Sequence, residues 1–348
     1  MRAVVFTEFG GTPDVRTIAD PTPGPTGAVI RVGATGLCRS DWHGWQGHDP
    51  DIRLPHVPGH EFAGVVESVG EAVVGWRPGD RVTAPFVCAC GSCRACLAGE
   101  QQVCERQTQP GFTHAGSFAE YVRIDNADVN LVRLPDSLDF GHAAGLGCRA
   151  ATAFRAVREH GGAGPDDWVA VHGCGGVGLS AVMIAKAVGA RVVAVDVSAD
   201  ARDLAVRLGA DHTVDASAAI DVGAAVRDLT GGGAHVSLDA FGSEASCAAS
   251  IESLRWRGRH VQVGLLPART GRPALPMDRV VWLELAVLGS HGMAAHAYGP
   301  LLDLVASGAL RMDLMVTGVL TLEEAPAALM TMDSSPWPGT RIILPQAP

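Results

Sequence analysis

The chain has 348 residues, 47% hydrophobic and 18% charged, with 43 Gly, 21 Pro and 9 Cys. That length exceeds what one core usually fills, and the composition is far from that of a disordered polymer, so two turn-rich folded domains are expected. A formal net charge of -10 argues against a nucleic-acid partner, and no apolar stretch runs uninterrupted by charge for the length of a bilayer span, which argues against a membrane one.

The N-terminal MRAVVFTEFGG has too short an apolar run for a signal peptide and reads as a first strand, so a cytoplasmic protein is expected. From residue 1 to about 148, short β-rich runs such as GAVIRVGATG and EFAGVVESVG alternate at period two between Gly and Pro, which predicts an antiparallel, barrel-like region. Near Asp166 the texture becomes strand, glycine turn, amphipathic helix and strand: DDWVAVHG, CGGVGLSAVMIAKAVGA, RVVAVDV. The alternation continues through helices at 201–208 and 220–229, strands at 235–239 and 260–263, and ELAVLGS, predicting a doubly wound parallel sheet. The tail adds a helix in AHAYGPLLDLVASG, the segment TLEEAPAALM and a strand-like GTRIILP, too little for a domain of its own. The doubly wound region is therefore read as inserted into the first.

Cys90, Cys93, Cys96 and Cys104 form a C-x2-C-x2-C-x7-C array, and four thiolates on one irregular loop can close a tetrahedron around zinc. Such a closed site leaves no open position, so its role is to hold the loop together. Unligated cysteines or an iron-sulfur ligand run are the alternatives, although the usual cluster runs are spaced differently. Cys88 is left over. Three more metal-ligand residues lie far apart, Cys38 in GLCRSDWH, His60 in PGHEF and Cys148 in GLGCRAATAF; two thiolates and one imidazole make an open zinc site. GCGGVG follows WVAVH and opens a helix, so Gly173, Gly175 and Gly178, with Gly176 and Val177 between them, match a dinucleotide fingerprint. Asp196 ends the next strand, where a carboxylate bonds the ribose hydroxyls and repels a 2′-phosphate; NAD is favoured over NADP, with Arg202 the residue that argues the other way.

GLCRSDWH, PGHEFAGVVESVG, PGDRV, the four-cysteine segment, GSFAEY, GCGGVG and Asp196 occur in an order and content that resembles the zinc-containing alcohol dehydrogenases of the medium-chain dehydrogenase/reductase superfamily over essentially the whole chain. The resemblance implies a GroES-like β-barrel catalytic domain, 1–149 and 291–348, interrupted by a Rossmann NAD-binding domain, 150–290. It implies Cys38, His60 and Cys148 as catalytic zinc ligands, hence two zinc ions per subunit with NAD(H), and a proton relay of Ser40 and His43. Asp41 suits a role orienting His60, and Glu61 resembles the family's acidic residue beside the metal. Thr152 falls near the nicotinamide, with Arg39 and Arg341 at the pyrophosphate. Phe86 matches a substrate-pocket position, and Trp42, Trp45 and Phe112 are further aromatic candidates for a medium-sized apolar or aromatic alcohol. His291, in GSHGMAAH, is a further candidate cofactor or substrate contact. Family members are homodimers or homotetramers. The competing expectations are a polyol or amino-alcohol dehydrogenase of the same superfamily and a non-catalytic structural or nucleotide-sensing protein.

Overall fold

Alternating apolar positions in AVIRVGATGL make Ala28–Leu37 a ten-residue strand, buried over most of its length, and the spine of the first sheet. In the computed structural model, which describes residues 1–266, 273–334 and 337–347, it is β3. Before it β1 (Arg2–Val5) and β2 (Asp14–Thr17) pair antiparallel; after it come β4 (Glu61–Val69), β5 (Arg81–Thr83), β6 (Tyr121–Ile124) and β7 (Val132–Arg133). β4 and β6 pair with β3, β5 with β4 and β7 with β5, all antiparallel. Register shifts at Val29/Ile30 and Val32/Ala34 interrupt the β3–β4 ladder. Such bulges increase local twist, and the bent sheet wraps a core of Ile30, Val32, Phe62, Val66, Val82 and Ile124.

The second sheet contains β8 (Trp168–His172), β9 (Arg191–Asp196), β10 (His212–Asp215), β11 (Ala234–Asp239), β12 (Leu254–Gln262) and β13 (Ala286–Gly289). Every pairing is parallel, and the order is β10-β9-β8-β11-β12-β13. Counted within this sheet the order is the 3-2-1-4-5-6 of a doubly wound dinucleotide fold. The strands are nearly continuous apolar runs because helices cover both faces of a parallel sheet; β8 is buried at all five positions. Side-chain caps start the intervening helices: Ser198 accepts from the Ala201 N–H, Asp221 from Ala224 and Ser243 from Ser246.

The chain then returns to the first sheet with β14 (Val316–Thr321), parallel to β15 (Thr340–Leu344), which pairs antiparallel with β3. One unit contains Met1–Ala151, Gly292–Leu302 and Val316–Pro348; the other contains Thr152–His291 and Asp303–Met315. The segment Asp303–Met315 thus clusters with the parallel-sheet unit, whereas the sequence reading put it with the first. β12 begins six residues before the expected 260 because Leu254, at the start of the charged LRWRGR, already pairs with β11 across a register shift that ends at Arg259. β14 was not expected. Among the described residues no helix is long and apolar enough to cross a membrane.

Candidate metal and dinucleotide sites

The end of β3 delivers Cys38 as the residue capping helix Arg39–Trp45, and His60 and Glu61 stand at the start of β4. Cys148 comes from a π-helical turn, Leu146–Ala150, a widened turn of the kind that often marks functional positions. One ligand atom from each of Cys38, His60, Glu61 and Cys148 lies within 4.8 Å of all the others, and His60, Glu61 and Cys148 are buried. Asp41 organises this cluster. Its Oδ2 accepts the Cys38 N–H at 2.9 Å, while Oδ1 accepts the Gly59 N–H at 3.1 Å and meets His60 Nδ1 at 2.9 Å. The helix cap and the orientation of the imidazole are therefore one carboxylate's work. With Nδ1 bonded to Asp41, the buried Nε2 of His60 is left without a hydrogen-bond partner.

An orphaned buried nitrogen facing two thiols is an expensive arrangement for a chain that binds nothing there, and it is the donor set of an open zinc site. The electrostatics agree. A hydrogen bond from Cys148 holds the Cys38 thiol well below its ordinary value, and the same contact raises Cys148 in return. Burial pushes the Glu61 carboxyl up to about 7 against the opposing charge of Arg149. Arg149, absent from the sequence expectations, is 4% exposed and ion-paired with Glu61 at 2.5 Å. Breaking such a buried pair by removing one partner costs about 3–5 kcal/mol.

The relay candidates occupy the helix that Cys38 caps. Ser40 Oγ lies 3.9 Å from Cys38 Sγ, and His43 Nδ1 is 2.9 Å from His48 Nδ1. Burial holds the His43 imidazole below its ordinary value. Of the aromatic candidates, Phe86 packs edge-on against His60 at 6.3 Å between ring centroids, and Phe112 lies 5.3 Å from the same ring. Trp45 is different. It is 6% exposed, donates its indole N–H to Gly11 O at 2.7 Å and belongs to a core cluster with Val4, Phe6 and Leu329, so its aromatic bulk is core packing. Trp42 is half-buried beneath the Arg39 guanidinium, which stands 4.4 Å from its ring and pairs with Asp333 at 2.5 Å. Arg341 stacks on Trp337 at 3.8 Å.

In the cysteine loop, Sγ–Sγ distances are 3.4 Å for Cys93–Cys96, 3.7 Å for Cys93–Cys104 and 4.0 Å for Cys90–Cys96. A tetrahedron of thiolates about 2.3 Å from zinc has edges of about 3.8 Å, whereas a disulfide requires about 2.05 Å. Donors already face the sulfurs: the Cys90 and Arg106 N–H groups on Cys104, and the Ser92 N–H and Arg106 guanidinium on Cys90. The Ser92 N–H leads the effects that bring the Cys90 thiol down to about 5.

In the parallel-sheet unit, Gly173 takes φ +91°, a conformation costly to any residue with a Cβ, as the chain leaves β8. A Cβ on Gly178 would sit 1.8 Å from Gly173 O, while one on Gly175 would meet nothing within 4 Å. Helix Gly176–Ala187 therefore closes tightly onto the loop at Gly178 and leaves open space at Gly175, the division of labour a pyrophosphate-binding turn needs. Gly176 and Val177 form the helix's first turn. Asp196 Oδ2 accepts the Cys174 N–H at 2.6 Å and Oδ1 the Ser198 N–H at 2.8 Å, fixing the carboxylate beside the loop. Arg202 bonds Asp196 O at 2.8 Å and Asp215 at 2.9 Å, so its charge is already engaged. Thr152 is buried, with a hydroxyl that has no hydrogen-bond partner.

An open Cys-His-Cys donor set, a closed four-thiolate loop and a dinucleotide turn on one chain describe a zinc-binding dehydrogenase. Residues 24–136 match the alcohol dehydrogenase GroES-like domain, and residues 176–307 match the zinc-binding dehydrogenase domain. An alcohol dehydrogenase of Geobacillus stearothermophilus is 38% identical over 292 residues, 83% of this chain and 84% of its own length. Among solved structures, an NAD-dependent alcohol dehydrogenase superposes with a TM-score of 0.88 at 34% identity, covering 99% of this chain and 100% of the other. The alcohol dehydrogenase TADH from Thermus sp. ATN1 gives 0.90 at 33% identity, with 99% of each chain covered. The chain belongs to the zinc-containing alcohol dehydrogenases of the medium-chain dehydrogenase/reductase superfamily.

Proposed function

We propose that the protein is a zinc-dependent, NAD-linked alcohol dehydrogenase that interconverts a primary or secondary alcohol and its aldehyde or ketone. The observation that carries this reading is the clustered Cys38, His60 and Cys148 set, with Asp41 holding His60 so that its buried Nε2 is left for a metal. When bound, zinc polarises an alcohol oxygen and NAD accepts the hydride.

The chain's own residues do the rest. Cys38, His60 and Cys148 hold the reactive metal, and Cys90, Cys93, Cys96 and Cys104 hold a second, structural one. Ser40 and His43 form the relay that carries the substrate hydroxyl proton to solvent, and desolvation lowers the His43 imidazole's affinity for a proton, as suits a group that must pass one on. Gly173, Gly175, Gly176, Val177 and Gly178 receive the pyrophosphate, joined by Arg39 and Arg341, whose guanidinium forks suit phosphate oxygens. Thr152 supplies its unpartnered hydroxyl to the nicotinamide end. Phe86, edge-on to His60, lines an apolar substrate pocket. In this scheme 1–149 and 291–348, apart from the segment Asp303–Met315 that clusters with the other unit, are the catalytic domain and 150–290 the NAD-binding domain, in a cytoplasmic homodimer or homotetramer.

Alcohol-dependent reduction of NAD tests the activity, and comparing benzyl alcohol with ethanol tests the pocket. The expected result is higher kcat/KM for benzyl alcohol; a clear preference for ethanol would remove Phe86 from substrate recognition. The Asp196 carboxylate sets cofactor choice by repelling a 2′-phosphate. Asp196→Gly is expected to raise the ratio of NADP to NAD efficiency at least about tenfold, the equivalent of about 1.4 kcal/mol. An unchanged ratio would assign the preference to another residue.

A further inference from the structure

Three of the four residues in the open cluster are metal donors of ordinary type; the fourth, Glu61, has a carboxylate equally within reach. It is held by another group. Arg149 Nε donates to Glu61 Oε1 at 2.8 Å, and Nη2 makes an ion-pair contact of 2.5 Å with Oε2, an oxygen that has no hydrogen-bond partner. The rest of the guanidinium is also committed: Nη2 donates to Leu37 O at 2.9 Å and Nη1 to Thr340 Oγ1. Four segments of the first unit, β3, β4, β15 and the π-helical turn, thus meet at one buried fork. Gly36 clears the space for it, since a Cβ there would lie 2.5 Å from Glu61 Oε2 and 2.9 Å from Arg149 Nη2.

We propose that Arg149 is a positioning residue: by a hydrogen bond to one oxygen of Glu61 and an ion-pair contact with the other it keeps this carboxylate out of the ring of metal donors, so that Cys38, His60 and Cys148 alone bind the metal and a position stays open for substrate. The inference rests on the open-site reading above. A carboxylate beside a dication coordinates unless something competes for its oxygens, and a buried guanidinium with two-point geometry is the competitor this chain provides. Lysine, a single point charge, cannot reproduce the grip.

The test uses protein with cobalt in place of zinc, whose visible spectrum reports the donor set, titrated with imidazole as a ligand for the open position. Arg149→Met is expected to change the spectrum before imidazole is added and to weaken imidazole binding about tenfold or more, in the range typical of losing a group that supports a metal ligand. Arg149→Met combined with Glu61→Gln removes the freed carboxylate and is expected to restore the wild-type imidazole affinity. Arg149→Lys, which keeps a buried positive charge should the methionine variant fail to fold, is expected to fall between. Wild-type spectra and affinity in both Arg149 variants, or no restoration in the double variant, would overturn the positioning role. A wild-type protein that takes up only one metal per subunit would overturn the open-site reading and this inference with it.

Discussion

His60→Ala is expected to lower alcohol-dependent kcat/KM by at least about four orders of magnitude and to reduce bound zinc from two ions per subunit to one. Lewis-acid activation is worth several kcal/mol of barrier, and each 1.4 kcal/mol is a factor of ten, so losing the metal removes most of the catalysis. The fold is expected to survive, because Asp41 keeps its bonds to the Cys38 and Gly59 backbone N–H groups after the imidazole is gone. Elemental analysis, steady-state kinetics and circular dichroism on one preparation check all three points. Retained turnover with two zinc ions would remove His60 from the ligand set.

The closed site gives the opposite pattern. The loop around Cys90–Cys104 buries little beyond Ala89, three of its own cysteines and the flank of Val129, and two of its turns need left-handed glycines, Gly91 and Gly99. Apolar packing this thin does not hold four sulfurs 3.4–4.0 Å apart; a shared cation does. Cys93→Ala is therefore expected to lower the melting temperature by about 10 °C or more, because structural zinc binding is free energy of folding. His60→Ala should move it far less. Thermal unfolding of both variants, with and without chelator, separates the two metals by role; a Cys93→Ala protein melting with the wild type would assign the loop's stability to something other than zinc.

How legible each site was depended on how local it is. The cysteine loop could be read directly, because all four donors fall within fifteen residues and their spacing alone limits the geometry. The dinucleotide turn could be read as well, since its glycines are required by backbone approach within one strand-turn-helix unit. Cys38, His60 and Cys148 are scattered, each weak alone, and donor type beside the glycine fingerprint, then family resemblance, joined them before the fold did. Arg149 was missed. An arginine in GCRAATAF looks like an ordinary helical surface residue, and the only signal for it was that a glutamate following a buried ligand histidine would need a cation. The π-helical turn that carries it has no sequence mark. Trp45 shows the limit from the other side: an aromatic residue near a metal ligand reads the same whether it lines a pocket or fills a core, and its bond to Gly11 O decides for the core. The strand at Leu254–Gln262 was read short because its early part is charged and broken: only Leu254 pairs with β11 before the register resumes at Arg259.

The most direct test of the central claim is zinc per subunit measured by elemental analysis on the same preparation that is assayed for NAD reduction with a panel of alcohols. Two zinc ions with alcohol-dependent NADH formation is the predicted result. A fully loaded protein holding one zinc, and reducing NAD with no alcohol of the panel, would contradict it and leave the fold in a structural or nucleotide-sensing role.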